Sequence, residues 1–247
     1  MDRISIPANK MRIGTAGWTI PTAVKGDFPA AGTHLKRYSA VFNAVEINSC
    51  FHRPHKRSTY QRWAACVPDS FKFSVKVPKE ITHARRLKGS EPLLDSFLAE
   101  VSGLEDRLGS LLFQLPPSFA FDPPAAEQFL TNLRHRVAGP VCFELRHASW
   151  FIPEVDTLFA GFRIARVAAD PALVPQARRS GGWVGLRYCR LHGSPKIYHS
   201  PYSEQAIRSV VEPLRSEIHE GDECWCIFDN TASGAATANA LTARLIV

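Results

Sequence analysis

This chain of 247 residues lacks three features that are common in secreted and membrane proteins: a long apolar run, an apolar signal core in its first residues and a cysteine framework. No apolar run reaches the roughly 20 residues that cross a bilayer as a helix. The first residues, MDRISIPANKMRIG, lack the apolar core of a signal peptide. We therefore expect a cytoplasmic protein with no membrane partner.

The six cysteines include no Cys-x-x-Cys pair, the spacing that common zinc and dithiol motifs use. Four of them lie in apolar, strand-like runs, at Cys142, Cys189, Cys224 and Cys226. Because a free cysteine packs as a small hydrophobic residue, we expect buried free thiols.

Long blocks of like charge are also absent, although the formal net charge is +7. The basic residues occur in short separate groups, such as HKR at 55–57 and ARR at 84–86 and 177–179. A positive surface of this kind favours an anionic partner, and nucleic acid stays an open alternative. The sequence sets no oligomeric state.

Eight apolar runs rich in β-branched and aromatic residues form the main pattern. They lie at 11–17, 43–49, 71–77, 109–115, 140–145, 162–168, 185–193 and 224–230. Segments with helical periodicity separate most of them, including 90–108, 123–136 and 233–247. This alternation is typical of parallel βαβ units. It predicts one α/β domain over 1–247, a single (β/α)₈ TIM-type barrel.

The connection at 169–184 has no helical pattern, and we expect an irregular crossover there, before strand 7. An open, doubly wound sheet is the competing architecture. Its dinucleotide-binding members carry a Gly-x-Gly-x-x-Gly turn after the first strand, and GTAGW at 14–18 lacks the third glycine. The barrel is therefore favoured, and the sequence assigns no cofactor.

Polar and aromatic residues collect where the predicted strands end. In a barrel these carboxyl ends surround the reactive mouth. We predict that Glu46, Glu144 and His192 are catalytic. The predicted substrate-binding residues are Trp18, Asn48, Lys76, His83, Gln114, Arg146, His147, Trp150, Arg190, Asp229 and Asn230.

The ionisable candidates also have structural interpretations. Glu46 and Glu144 act either as general acid and base or as partners in a buried ion pair. Arg146 has the planar fork that suits a carboxylate or a phosphate, and Lys76 would add a second positive charge. His192 is either a proton shuttle or a hydrogen-bonded structural group.

The aromatic and amide candidates have two interpretations as well. Trp18 and Trp150 would stack on a sugar or a base, or else they cap the core. Gln114 would bind a neutral ligand or satisfy a loop carbonyl.

A divalent metal is an alternative that the residues leave open but do not favour. Such ions bind carboxylates and imidazoles, which the chain offers at Glu46, Glu144, His147, His192 and Asp229. No His-x-His pair is present, and the charges of Lys76 and Arg146 would repel a cation. We therefore predict no metal ligand.

Seven motifs together resemble a known family. They are GTAGW (14–18), VEINSCF (45–51), FKFSVK followed by ITH (71–83), LGSLLFQLPPSF (108–119), FELRHASW (143–150), YCRLHG (188–193) and FDNT (228–231). In this order they are similar to the DUF72, or YecE-like, family, and they cover nearly the whole chain. The resemblance implies a (β/α)₈ barrel. It supplies no reaction, because the family is named for its unknown function.

Two functional hypotheses follow. The first is a hydrolase or isomerase that acts on a small polar anionic substrate, such as a sugar phosphate or a nucleotide fragment, at the mouth of the barrel. Two carboxylates and a histidine fit proton transfer better than redox chemistry. The alternative is a non-catalytic binder of nucleic acid or a phosphorylated ligand through the basic surface.

Overall fold

The computed structural model of the chain describes residues 11–216, 219 and 221–247. The predicted absence of a leader concerns residues 1–10, which lie outside these ranges. Within them, no helix combines the length and apolar character that crossing a membrane requires.

Strands and helices alternate along the described residues. The strands are β1 (Met11–Thr15), β2 (Ala44–Ile47), β3 (Lys72–Lys76), β4 (Leu108–Gln114), β5 (Val141–Glu144), β6 (Ile164–Arg166), β7 (Ala168–Asp170), β8 (Gly181–Gly182), β9 (Leu186–Leu191) and β10 (Glu223–Phe228). The α-helices are α1 (His34–Ser39), α2 (Arg57–Ala65), α3 (Glu91–Val101), α4 (Pro123–Arg134), α5 (Pro153–Gly161), α6 (Glu204–Ser216) and α7 (Ala235–Ile246).

Local sequence explains where the longer helices begin. Helix α4 starts at two prolines, which a first helical turn tolerates because its amides need no intrahelical partner. The Asp122 carboxylate caps it by accepting a hydrogen bond from the amide of Ala125 at 3.4 Å. Helix α3 follows Ser90, a residue type that often caps the first turn of a helix. The Ser90 hydroxyl instead donates to the carbonyl of Leu87 at 3.0 Å, so it does not cap the helix.

The strands form two sheets. One has the order β1–β10–β9–β7 and is parallel throughout. The other has the order β2–β3–β4–β5–β6–β8 and is parallel except at the short β6–β8 pair. The ladders of the described strands do not close into a single sheet. The fold is therefore mixed α/β with parallel sheets, and the predicted closed barrel is not confirmed.

The two sheets adjoin at two places. Ala16, directly after β1, forms a single parallel bridge with Glu46 of β2. A Cβ atom on Gly14 would overlap the carbonyl oxygen of Ala44, so the close approach of β1 to β2 requires a glycine there. At the other place Val167 alone separates β6 from β7, which belong to different sheets.

Two apolar clusters fill the interior. The larger one packs the helices against the strands. The second, which we name the inter-sheet cluster, draws residues from both sheets. Its members are Ala44, Leu112, Cys142, Ala165, Val167, Leu186, Tyr188, Trp225 and Ile227. None of the six cysteines forms a disulfide with another described residue, and five of them are buried, as predicted.

Polar residues continue the inter-sheet face towards the carboxyl ends of the strands. Side chains two positions apart on a strand point to the same face. Five polar residues follow members of the inter-sheet cluster at this spacing, namely Glu46, Gln114, Glu144, Arg190 and Asp229. Strand geometry therefore brings them together above the apolar cluster.

The connection between β7 and β9 contains no α-helix, in agreement with the predicted irregular crossover. It holds a 3₁₀ turn at Pro175–Arg178 and the short β8. Because no helix covers the outer face of the sheet here, a cavity of about 590 Å³ lies against β9 and α6. This cavity is on the outside of the sheet, away from the polar residues of the strand ends.

Candidate functional site

Arg190 is the centre of a buried ion network at the strand ends. Its Nε and Nη2 atoms donate to both carboxylate oxygens of Glu46, at 2.9 and 2.7 Å. Nη2 also donates to Oδ2 of Asp229 at 2.9 Å, and Nη1 donates to Oε2 of Glu144. Glu46 accepts a further bond from the Tyr188 hydroxyl at 2.8 Å. Arg190 and Glu46 are fully buried. These contacts agree with the structural alternative for Glu46, a partner in a buried ion pair. Arg190 was predicted to bind substrate, and in the structure it binds carboxylates of the protein.

His192 bridges two carboxylates of this network. Its Nδ1 lies 3.0 Å from Oδ2 of Asp229, and its Nε2 lies 3.0 Å from Oε1 of Glu144. Nε2 is also 2.9 Å from Nη2 of Arg146. An imidazolium can donate to both carboxylates, whereas a neutral ring that donates from Nδ1 can accept from Arg146 at Nε2. Both protonation states have hydrogen-bond partners, as a proton shuttle requires.

Arg146 lies at the solvent side of the network, with 20% of its side chain exposed. Its Nη2 contacts Glu144 and His192. The Nε atom is buried and has no hydrogen-bond partner among the described residues. Nη1 makes no hydrogen bond with the described residues either. Two donors of the guanidinium, the buried Nε and Nη1, therefore lack acceptors among the described residues.

Lys76, at the end of β3, is 9% exposed. Its Nζ lies 4.1 Å from the centroid of the Phe51 ring, and the described residues place no carboxylate oxygen within 4.0 Å of it. Burial lowers the pKa of Lys76 and the charge of Arg190 lowers it further, against the opposing effect of the carboxylates. His83 packs edge-on to Phe51 at 5.0 Å, and burial followed by the charge of Lys76 lowers its pKa.

The charges at the strand ends balance. Three positive groups stand against three carboxylates, namely Lys76, Arg146 and Arg190 against Glu46, Glu144 and Asp229. Burial alone would raise the pKa of Glu144, but Arg190, His192 and Arg146 together hold it well below 4.5. Burial has the same raising effect on Asp229, whose pKa is lowered by Arg190 and His192. Both carboxylates are therefore ionised at neutral pH.

These depressed pKa values predict a sensitivity to acid. A carboxylate whose pKa is lower in the folded state stabilises fully above its unfolded pKa and loses that contribution as the pH falls towards the folded pKa. We therefore expect the free energy of unfolding to decrease as the pH falls below about 4.5, the ordinary pKa of a glutamate such as Glu144. Urea denaturation over a series of acidic pH values measures this slope.

Glu144→Gln provides the control for the acid prediction, because it removes one titrating group. Its free energy of unfolding should fall less steeply with acid than that of the wild type. Parallel pH curves for the two proteins would mean that Glu144 is not held by the network.

Trp150 lies in the core and does not reach the strand-end network. It is 1% exposed, and its indole N–H donates to the carbonyl of Phe119 at 2.8 Å. Its ring packs against Phe119, Phe121 and Phe159, with the Phe121 centroid at 4.8 Å. The position of Trp150 therefore agrees with the alternative that this indole caps the core, and it differs from the predicted position beside a stacked ligand.

His147 and Asn230 hold loops near the strand ends. His147 caps the 3₁₀ turn at Ala148–Trp150, since its Nδ1 accepts from the backbone amide of Ser149 at 3.2 Å. Asn230 is fully buried and donates to the carbonyl of Ser200 and to Oδ1 of Asn239, both at 2.9 Å. Both were predicted to bind substrate, and the contacts observed are structural.

A small cavity lies at the carboxyl ends of β1 and β2. Its volume is about 300 Å³, and Trp18 and Asn48 are among its lining residues. The Oδ1 atom of Asn48 is buried without a hydrogen-bond partner in the described part of the chain. Gln114, at the end of β4, is 9% exposed and faces the same end of the sheets.

Two tyrosines were not predicted. Tyr188 precedes Arg190 by two residues on the same strand face, so strand alternation could have indicated it. Tyr198 lies in the loop after β9, edge-on to His192 at 5.8 Å, and has a positive φ of 68°. Loop residues have no periodicity, and no sequence signal placed Tyr198 beside the site.

The spacing Glu-x-x-His, which metal ligands use on some helices, occurs at Glu80/His83 and at Glu144/His147. Glu80 instead pairs with Arg85 at 3.7 Å, and Glu144 is bound by the arginines of the network. Among the described residues, no group of three or more His, Cys, Asp or Glu side chains is arranged to hold a metal ion.

The chain is similar to two named bacterial proteins. It is 32% identical over 172 residues to the UPF0759 protein YecE of Escherichia coli strain K12, an alignment that covers 67% of this chain and 61% of that protein. The matched part thus spans less than two thirds of YecE. This chain is also 26% identical over 258 aligned positions to the UPF0759 protein YunF of Bacillus subtilis strain 168. That alignment covers 92% of this chain and 91% of YunF.

Two crystal structures have a similar fold. A DUF72 family protein from Enterococcus faecalis V583 superposes with a TM-score of 0.80 at 21% identity, covering 96% of this chain and 94% of that one. One from Thermotoga maritima MSB8 has a TM-score of 0.77 at 24% identity, with coverage of 96% and 98%. The model of the family described as "Protein of unknown function DUF72" matches residues 12–246. The chain belongs to the DUF72 family.

Proposed function

We propose that the chain binds a small polar anion at the strand ends and moves a proton on it, as a hydrolase or an isomerase does. A sugar phosphate or a nucleotide-like molecule has the charge and polarity for this site. The proposal treats the two sheets as halves of a barrel that adjoin at the Ala16–Glu46 bridge and at Val167. The network then lies at the mouth of that barrel, with the inter-sheet cluster as its floor.

The buried Nε donor of Arg146, which has no acceptor among the described residues, is the observation that carries the proposal. A buried donor without an acceptor costs about 1–3 kcal/mol, and Arg146 Nε is such a donor. A carboxylate or phosphate oxygen could accept from Nε, and a second oxygen could accept from Nη2, which shares that edge, once Nη2 is drawn away from Glu144 and His192. Lys76 adds a nearby positive charge that no carboxylate within 4.0 Å neutralises in the described chain.

Glu144 and His192 are the acid and base of the proposed reaction. Asp229 accepts from Nδ1 of His192, which leaves Nε2 as the end that exchanges a proton. Nη2 of Arg146 covers both Nε2 and Oε1 of Glu144. An anion that draws Arg146 towards itself would therefore uncover the acid and the base at the same time. In this proposal Glu46 and Arg190 are positioning residues.

The nucleic-acid alternative has less support. Several surface cations already have acidic partners, namely Lys88 with Asp122, Arg107 with Asp69, Arg136 with Asp95 and Arg208 with Glu204 and Glu212. Each such pair reduces the positive field that would attract a phosphate backbone. No single observation places a continuous basic track on the surface, so the small-anion site is preferred.

Arg146→Lys tests the proposed site. A lysine keeps the charge but cannot supply two parallel N–H donors, and a hydrogen bond to a charged group contributes about 1.5–3 kcal/mol. We therefore expect about tenfold weaker anion binding or more, measured by calorimetric titration with inorganic phosphate, glycerol phosphate and ribose phosphate. Arg208→Lys, on the exposed face of α6, is the matched control and should bind as the wild type does.

Glu144→Gln separates binding from turnover. It should retain anion binding and lose activity in a hydrolase and isomerase screen, because an amide cannot accept the proton. Two results together would contradict the proposed anion site. They are that none of the three anions raises the unfolding temperature of the wild type, and that Arg146→Lys and Arg208→Lys have the same anion affinity.

A further inference from the structure

Lys76 differs in its surroundings from the paired lysine Lys88. Lys88 is exposed and lies 2.8 Å from Asp122. Lys76 is 9% exposed and is placed against the Phe51 ring, and no carboxylate of the described chain lies within 4.0 Å of its Nζ. An ammonium group in such a position is poorly solvated and lacks a counterion in contact.

Two opposing effects act on the ammonium form of Lys76. Burial and the neighbouring charge of Arg190 disfavour it, while the carboxylates of the network favour it. The Phe51 ring also favours the charged form through a cation–π contact. The balance lowers the pKa of Lys76, so the neutral amine is more populated than in an exposed lysine. Desolvation together with a second cation is a known way to activate a lysine as a nucleophile.

We propose that Lys76 condenses with the carbonyl group of a small anionic aldehyde, ketone or 2-oxo acid. This inference rests on the proposed function, because Arg146, through its Nε donor, would hold the anionic group of the same molecule. The nitrogen forms a bond to the carbonyl carbon, and two of the three ammonium protons leave with the carbonyl oxygen as water. The product is an iminium ion, which keeps one proton and the positive charge on nitrogen.

The rest of the network suits the step that follows. An iminium withdraws electrons from the adjacent carbon, so a proton there can be removed by a weak base. Glu144, which is held ionised by Arg190, His192 and Arg146, is a carboxylate of the same network and would accept this proton. The iminium carries the same charge as the ammonium it replaces, so the balance with the three carboxylates is unchanged. This chemistry is of the isomerase type and needs no further cofactor.

Borohydride trapping tests the proposal. The wild-type protein is incubated with pyruvate, with glyceraldehyde phosphate or with neutral acetone, and sodium borohydride then reduces any iminium to a stable amine. Intact mass and peptide mapping locate the adduct. We expect a single adduct at Lys76 with the two anionic probes and much less with acetone. Lys76→Met should remove this adduct, and Lys79→Met, a change at an exposed lysine three residues away, should retain it.

Peptide mapping of the wild type decides the question even if Lys76→Met fails to fold. Labelling of Lys76 at least about tenfold faster than that of Lys79 would support the proposal. Equal labelling of the exposed lysines with Lys76 unmodified would overturn it. If phosphate binds with the expected dependence on Arg146 but no adduct forms at Lys76, this inference fails and the proposed anion site stands.

Discussion

Replacing Arg190 by methionine is expected to lower the free energy of unfolding by at least about 3–5 kcal/mol. The guanidinium is fully buried and binds three carboxylates, so its removal leaves several negative charges in the interior without their partner. Because total stabilities are typically about 5–15 kcal/mol, the variant should be close to unfolding at room temperature. Urea denaturation measures the loss.

Arg208→Met is the matched control for this prediction. Arg208 also binds two carboxylates, Glu204 and Glu212, both at 2.9 Å, but its side chain is 47% exposed. Exposed pairs of this kind contribute about 0–1 kcal/mol. If the two methionine variants unfold at the same urea concentration, the Arg190 network does not stabilise the fold.

A double variant separates charge from packing at Arg190. Adding Glu46→Gln to Arg190→Met removes one of the unpaired carboxylates. If unpaired charge is the main penalty, the double variant should be more stable than Arg190→Met alone, although it differs further from the native sequence. Further destabilisation would instead point to lost packing.

Trp150→Ala is expected to cost about 3–5 kcal/mol, the usual range for removing a buried aromatic ring. The indole is 1% exposed, packs between aromatic rings and donates to the carbonyl of Phe119. The same substitution should leave the affinity for phosphate unchanged, because the ring does not reach the strand-end network. Thermal unfolding and calorimetric titration on one preparation measure both quantities.

Trp18→Ala gives the contrast to Trp150→Ala. Trp18 is partly exposed and lines the cavity of about 300 Å³ at the ends of β1 and β2. It should lose less stability than Trp150→Ala and should affect binding more when the ligand has an uncharged ring. A stable Trp150→Ala variant with weakened anion binding would contradict this prediction and would indicate that Trp150 contacts the bound anion.

The strands and their polar ends could be predicted because both follow from local rules. Each of the eight predicted runs contains a strand, since β-branched and aromatic residues favour extended backbone. Glu46, Glu144 and Arg190 lie together because parallel strands end at the same edge and side chains two positions apart share a face. These relations need no knowledge of the tertiary structure.

The role of each side chain within the site could not be predicted in the same way. An arginine at a strand end binds an external anion or an internal carboxylate, and only the positions of its neighbours decide which. Arg190 has its donors occupied by the protein, whereas the buried Nε of Arg146 has no acceptor among the described residues. For the same reason an indole at a strand end can be core, as Trp150 is.

Sheet closure depends on hydrogen bonds at the sheet edges, which residue patterns do not specify. The predicted run at 162–168 is divided by Val167 into β6 and β7, and each half pairs in a different sheet. β-Propensity describes how a residue fits an extended strand, and it does not report which strand lies beside it.

The equality of positive and negative groups at the strand ends has a kinetic consequence. A balanced cluster has little electric field at distances beyond a Debye length, about 8 Å at physiological ionic strength. An approaching anion is therefore attracted mainly by the net charge of +7 carried by the chain as a whole. If the proposed site binds an anion, salt should slow the encounter of anion and protein, whereas the residence time would depend on short contacts with Arg146 and Lys76 that salt screens far less.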